Sequence, residues 1–145
     1  MSNGSRLEPL ADYAGQVEAD AARRLAASSK ALMTKEAELA QLRSYLAEYR
    51  QRAQQEELST DSARWQNMRL FLAKLSDAVA HHEAEVARAM ERHRLEADRW
   101  RNSHQRAQAL DKVVERAKRD ALHVRHQREQ TELDEQASRR ARAAH

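Results

Sequence analysis

The chain has 145 residues, enough for one ordinary globular domain, yet 34% of them are charged and only 4% aromatic, with two glycines, one proline and no cysteine. Such a composition belongs to long helices or coiled coils if its apolar residues are regularly spaced, and to disorder if they are not. The missing cysteine excludes a disulfide framework, a thiolate metal site and a cysteine nucleophile, and the net charge of +3, from 26 basic and 23 acidic side chains interleaved along the chain, forms no basic block of the kind that binds nucleic acid.

Residues 1–9, MSNGSRLEP, lack the apolar centre of a signal peptide and end on the only proline, so they are expected to be disordered. No segment approaches the roughly 20 apolar residues of a membrane span, and a cytoplasmic protein is expected. A first helix is expected over residues 10–57. There Leu25, Leu32, Leu39, Leu46 and Ala53 recur every seven residues as heptad position a; Leu42 and Tyr49 take position d, with Ser28 and Lys35 as weaker d residues. Ser59, Thr60, Asp61 and Ser62 are four consecutive residues suited to a helix N-cap, which places a turn at 58–61. A second helix is expected over 62–140, with 141–145 frayed. Its a positions are Trp65, Leu72, Val79, Val86, His93, Trp100, Ala107, Val114 and Ala121. Its d positions are Met68, Leu75, His82, Ala89, Glu96, Ser103, Leu110, Ala117 and Val124. Fourteen of these eighteen are apolar, without a change of phase.

Continued from Ala53, the first register predicts seam positions at 60 and 67, whereas the second register begins at Trp65. At about 100° per residue this sets the two seams on nearly opposite faces of one continuous helix. A turn resolves the conflict. The absence of a C-capping glycine, and Glu56 and Glu57 at a helix C-terminus, speak for the alternative of a parallel dimer of one long helix. The expected fold is all-α: an antiparallel two-helix coiled-coil hairpin, one domain, with a longer second helix. The helices would be about 70 and 115 Å long. Folding back from the turn sets Gly15 opposite about His104. Beyond that point Leu110, Val114, Ala117, Ala121 and Val124 keep the heptad with nothing to face, which implies a second protein or fraying.

The segment from Tyr45 to Phe71 holds four of the six aromatic residues. Tyr49 and Trp65 occupy seam positions and read as core. Tyr45 and Phe71 are g residues, where coiled coils usually carry Glu or Lys. In an antiparallel pair g flanks g, so both rings, with Ala78, fall on one side of the hairpin near the turn. Either they form a partly exposed partner site or they lie over the seam. His81 and Glu85 share a helix face, and His123 and His126 have metal-compatible spacing. Neither pair has a further ligand in a recognised order, and both read as solvated surface. His82, His93, Glu96 and Ser103 make the middle of the second seam polar. No glycine-rich phosphate loop occurs and a two-helix hairpin offers no concave pocket. No catalytic residue, metal or cofactor is expected.

YLAEYR at 45–50, RW at 64–65 and the FLAKLSDAVAHH run from Phe71 resemble the flagellar FliJ proteins, small cytoplasmic components of the type III export apparatus. The resemblance covers nearly the whole chain. It implies a non-enzymatic coiled-coil stalk, similar to the gamma subunit of rotary ATPases, peripheral at the inner-membrane base of the apparatus. Its partners would be the hexameric export ATPase, met through the open ends of the helices, the cytoplasmic domain of the export gate, and export chaperones near the turn. The family's chaperone and gate surface matches Leu42, Tyr45, Tyr49, Phe71, Leu75, Ala78 and His82, all d or g positions; Glu38 stands where the family can carry Gln. The overhang from Leu110 to Val124 would face the ATPase. Alternatives are the stalk of a virulence-type secretion system, a scaffold homodimer and a helical DNA-binding protein.

Overall fold

The computed structural model describes residues 3–56 and 62–144, with side chains described from Arg6. It consists of α1, Asn3–Glu56, and α2, Ser62–Ala143, of 54 and 82 residues. The helices form an antiparallel hairpin with the longer arm second. Ser59, Thr60 and Asp61, the expected caps, lie outside the described residues. From Trp65 to Ala117 every a and d residue of α2 is at least partly shielded from solvent, as a seam facing a second helix requires. The chain divides into two compact units, Ala21–Trp100 and Met1–Asp20 with Arg101–His145.

In the central unit, Ala21–Trp100, Leu39, Leu46 and Val79 form the buried core, with Leu42, Leu72, Leu75 and Val86 packed on it. Burying one such side chain contributes about 1.5–3 kcal/mol. Among the described residues no side chain falls below 2% exposure, because two helices cannot enclose a side chain on all sides. The packed seam therefore supplies the stability, and the exposed faces are free for contacts. A polar layer interrupts it. Ser28 is buried, its Oγ donates to the Leu25 carbonyl at 2.8 Å, and His93 Nδ1 lies 3.2 Å from the same oxygen. A hydroxyl has one proton. The Leu25 contact uses it, so the proton of the second contact must sit on His93 Nδ1. Glu96, three residues on, accepts from Arg99 at 3.1 Å through one oxygen, while its other oxygen is buried without a hydrogen-bond partner.

In the terminal unit, helical structure begins at Asn3 rather than near residue 10, and Pro9 lies inside α1. Proline's φ suits a helix; its missing N–H leaves one carbonyl a turn earlier without its partner. Pro9 is exposed, so water can serve that carbonyl. Ala11 and Ala14 are buried on the inner face, and Glu8 meets Lys118 of α2 at 2.6 Å. Stepping back by sevens from Leu25 and Ser28 gives Glu18, Ala11, Ala21, Ala14 and Leu7, so the heptad runs to the start of α1. Glu18, not Gly15, reaches His104, at 2.6 Å.

This N-terminal extension gives α2 a partner over a stretch expected to protrude. Val114 is 8% exposed and Ala107 3%; Leu110 and Ala117 are partly shielded. Of the five expected overhang residues only Ala121 and Val124 are exposed, and every described residue past Lys118, up to Ala144, is exposed.

Gly15 lies within α1 at ordinary helical φ, and a Cβ built on it meets nothing within 4 Å. Glycine costs a helix interior about 0.5–1 kcal/mol relative to alanine. Gly15→Ala should therefore raise the stability of the terminal unit by about that amount in thermal melts. A fall would mean that this segment of α1 does not stay helical.

Candidate partner-binding flank

Heptad geometry places Leu42, Tyr45 and Tyr49 on one edge of α1, and Phe71, Leu75, Ala78 and His82 on the facing edge of α2. All seven lie in the central unit. Leu42 and Leu75 pack on the core and anchor the edge. Tyr49, Ala78 and His82 are half-buried, and Tyr45 and Phe71 are 45% and 44% exposed. The Phe71 ring meets Tyr49 rather than Tyr45, edge to face, with centroids 4.9 Å apart and planes at 66°. The Arg52 guanidinium lies 5.1 Å from the same Tyr49 ring. The Tyr45 hydroxyl accepts a hydrogen bond from Gln41 Nε2 at 3.1 Å, along its own helix. Phe71 is thus both half core, through Tyr49, and half surface. Tyr45 stays on the surface.

The lower part of the flank is charged. Lys35 donates to Glu85 across the seam at 3.0 Å and lies 3.8 Å from Glu38. His82 Nδ1 is 3.7 Å from Glu85 and 4.0 Å from Glu38, within electrostatic reach but too far for hydrogen bonds, and this atom is buried without a hydrogen-bond partner. His81 Nε2 lies 3.1 Å from the other Glu85 oxygen. Glu85 therefore has the Lys35 ammonium at one oxygen and the His81 imidazole at the other. Among the described residues no group of three His, Asp or Glu is placed to hold a metal ion. His123 and His126 are exposed.

The hydrogen bond from Lys35 lowers the Glu85 carboxyl below its ordinary 4.5, and the same bond raises the Lys35 amine above its ordinary 10.5. A lowered carboxyl contributes stability that is present above pH 4.5 and lost as pH falls through the folded value; a raised amine contributes stability present below 10.5 and lost as pH rises through its folded value. The melting difference between the native chain and Lys35→Met should be constant across neutral pH and shrink at both extremes. A difference unchanged down to about pH 3 would rule out a stabilising pair.

The heptad phase placed Tyr45, Phe71 and Ala78 on this edge, and the family resemblance added Leu42, Tyr49, Leu75 and His82 to it. The phase did not reveal the Tyr49–Phe71 contact, since register places rings along an edge without giving their rotamers. The reach of Lys35 to Glu85 was equally hidden: a d-position lysine reads as a weak core residue until its long stem is seen to carry the ammonium out to a g carboxylate.

A paired-helix scaffold, an anchored aromatic edge and no metal-binding cluster among the described residues define a coiled-coil protein that presents its chemistry as surface. A profile of the flagellar FliJ protein family matches residues 2–145. The chain is 31% identical to a flagellar FliJ protein of Salmonella typhi over 147 residues, and 29% identical to one from Escherichia coli (strain K12) over 142 residues; each alignment covers 97% of both chains. It belongs to the flagellar FliJ family.

Proposed function

We propose that the chain is a non-enzymatic component of the flagellar type III protein export apparatus, a coiled-coil stalk that binds the hexameric export ATPase, the cytoplasmic domain of the export gate and export chaperones. It acts at the cytoplasmic face of the inner membrane, needs no cofactor and binds no nucleic acid. Among the described residues no helix is long and apolar enough to cross a membrane, so attachment there falls to protein partners. The observation that carries this reading is the half-exposed edge of Tyr45, Phe71, Ala78 and His82 backed by Leu42, Tyr49 and Leu75. Apolar rings held at a g flank are costly to leave in water and favourable to cover. Chaperones and gate domain compete for this edge. The ATPase is met instead by the uncovered stretch of α2 with Ala121 and Val124.

The stalk adds no chemistry. It acts by preferring one state of the ATPase or gate, since a bound partner shifts an equilibrium only through such a difference. The test is a binding assay of the purified chain against export ATPase, gate domain and a substrate-free chaperone, with sedimentation of the chain alone. Binding to ATPase and gate with a monomeric mass is expected. A stable dimer that binds none of them would leave the scaffold reading standing.

A further inference from the structure

The terminal unit carries an apolar surface that the proposed flank does not use. Leu10, Tyr13, Ala14 and Val17 of α1 and Leu110 and Val113 of α2 line an open groove of about 360 Å³, with Arg106 at its edge. Tyr13 is 67% exposed, and Leu10, Val17 and Val113 are exposed as well. Leu10, Tyr13 and Val17 follow the i, i+3, i+7 spacing of one helical ridge, and Leu110 and Val113 form the facing ridge. Two parallel ridges with a trough between them are the receptor half of helix-in-groove recognition.

Charge decides what kind of helix fits. Outside the groove lining, two carboxylates of α1 are taken up by α2, Glu8 by Lys118 and Glu18 by His104. On the groove side Arg106 lies on the line of Val113, and Arg116, seven residues after Ala109, continues the line of that groove residue. Among the described residues neither arginine has an ion pair. They are ten residues apart, about 15 Å along the helix. We propose that this groove docks an amphipathic helix of a partner protein whose apolar stripe is bordered by carboxylates about three turns apart. The stripe covers Leu10, Tyr13 and Val113, and the carboxylates pair with Arg106 and Arg116. The site is separate from the aromatic flank and does not depend on which partner that flank binds.

The probes are two lactam-stapled helical peptides with the same leucine stripe, one bordered by Glu and the other by Lys, titrated against the full chain by fluorescence anisotropy. The Glu peptide should bind about tenfold more tightly, as two partly exposed charge pairs allow. Arg106→Glu with Arg116→Glu should reverse the order, and Leu10→Ser with Tyr13→Ser should abolish binding of both peptides. Helicity by circular dichroism checks the serine variant, and the charge reversal stands by itself if that variant unfolds. Equal binding of the peptides, an order that survives the reversal, or full binding to a folded serine variant would overturn the proposal. So would a dimer of the chain alone that the serine substitutions dissolve, because the groove would then hold a second copy.

Discussion

Leu46→Ala should destabilise the hairpin by about 3 kcal/mol in urea denaturation followed by circular dichroism, within the range for truncating a buried leucine. Leu46 is 7% exposed and belongs to the cluster with Leu39 and Val79. No other layer lies beneath a two-helix seam to collapse into the space, so the lost contacts are not recovered. Against a total stability of about 5–15 kcal/mol this is a large share. Leu133→Ala is the matched control: Leu133 is 61% exposed, and its truncation should change stability by less than about 0.5 kcal/mol. Equal effects at both positions would mean that the seam does not hold the chain together.

Tyr45→Ala with Phe71→Ala should weaken binding of the gate domain or chaperone by about ten- to a hundredfold, as loss of an aromatic anchor does at interfaces, while helical content stays near that of the native chain. The structure adds a cost to the second substitution. Phe71 gives up its edge-to-face contact with Tyr49, a contact worth about 0.5–1.5 kcal/mol, so a modest drop in melting temperature accompanies it. Tyr45→Ala alone removes a side chain whose one hydrogen bond runs along its own helix, and should lower binding with little change in melting. Collapse of the helical signal in the double variant would make the rings core. Unchanged binding in a folded variant would move the partner site elsewhere.

The seam of α2 was legible residue by residue. A heptad phase held from Trp65 to Ala117, and each of those a and d residues is shielded, including the polar His82, His93, Glu96 and Ser103. Polar residues at these positions kept the phase because each finds or approaches a partner across the seam or along the helix, as His93 does with Ser28 and Glu96 with Arg99.

The terminal unit was not legible. Ala11, Ala14 and Ala21 are buried, but alanine is as common on exposed helix faces as in seams and carries little pattern, and Glu18 at an a position reads as surface. Pro9 added a stop signal that holds only for a helix interior lacking water or compensating contacts. The expected overhang was therefore too long: Leu110 and Val114 lack a partner only if the heptad of α1 starts at Leu25, about five turns after Leu7. The aromatic edge sits between these cases. Register placed Tyr45, Phe71 and Ala78 on it, the family resemblance supplied the rest, and its ring contacts, set by side-chain torsions, followed from neither.

Both the core and the binding edge require the two helices to run side by side in opposite directions within one chain. The chain has no cysteine, so spin labels can be placed at will. Cysteines at Ala27 and Arg92, both exposed and both in the central unit, carry the pair, with labelled protein diluted in unlabelled protein to isolate distances within a chain. Helices packed about 8–10 Å apart predict a label separation of about 15–30 Å. One unbroken helix would hold the same labels about 100 Å apart, and the absence of any short distance would contradict the hairpin.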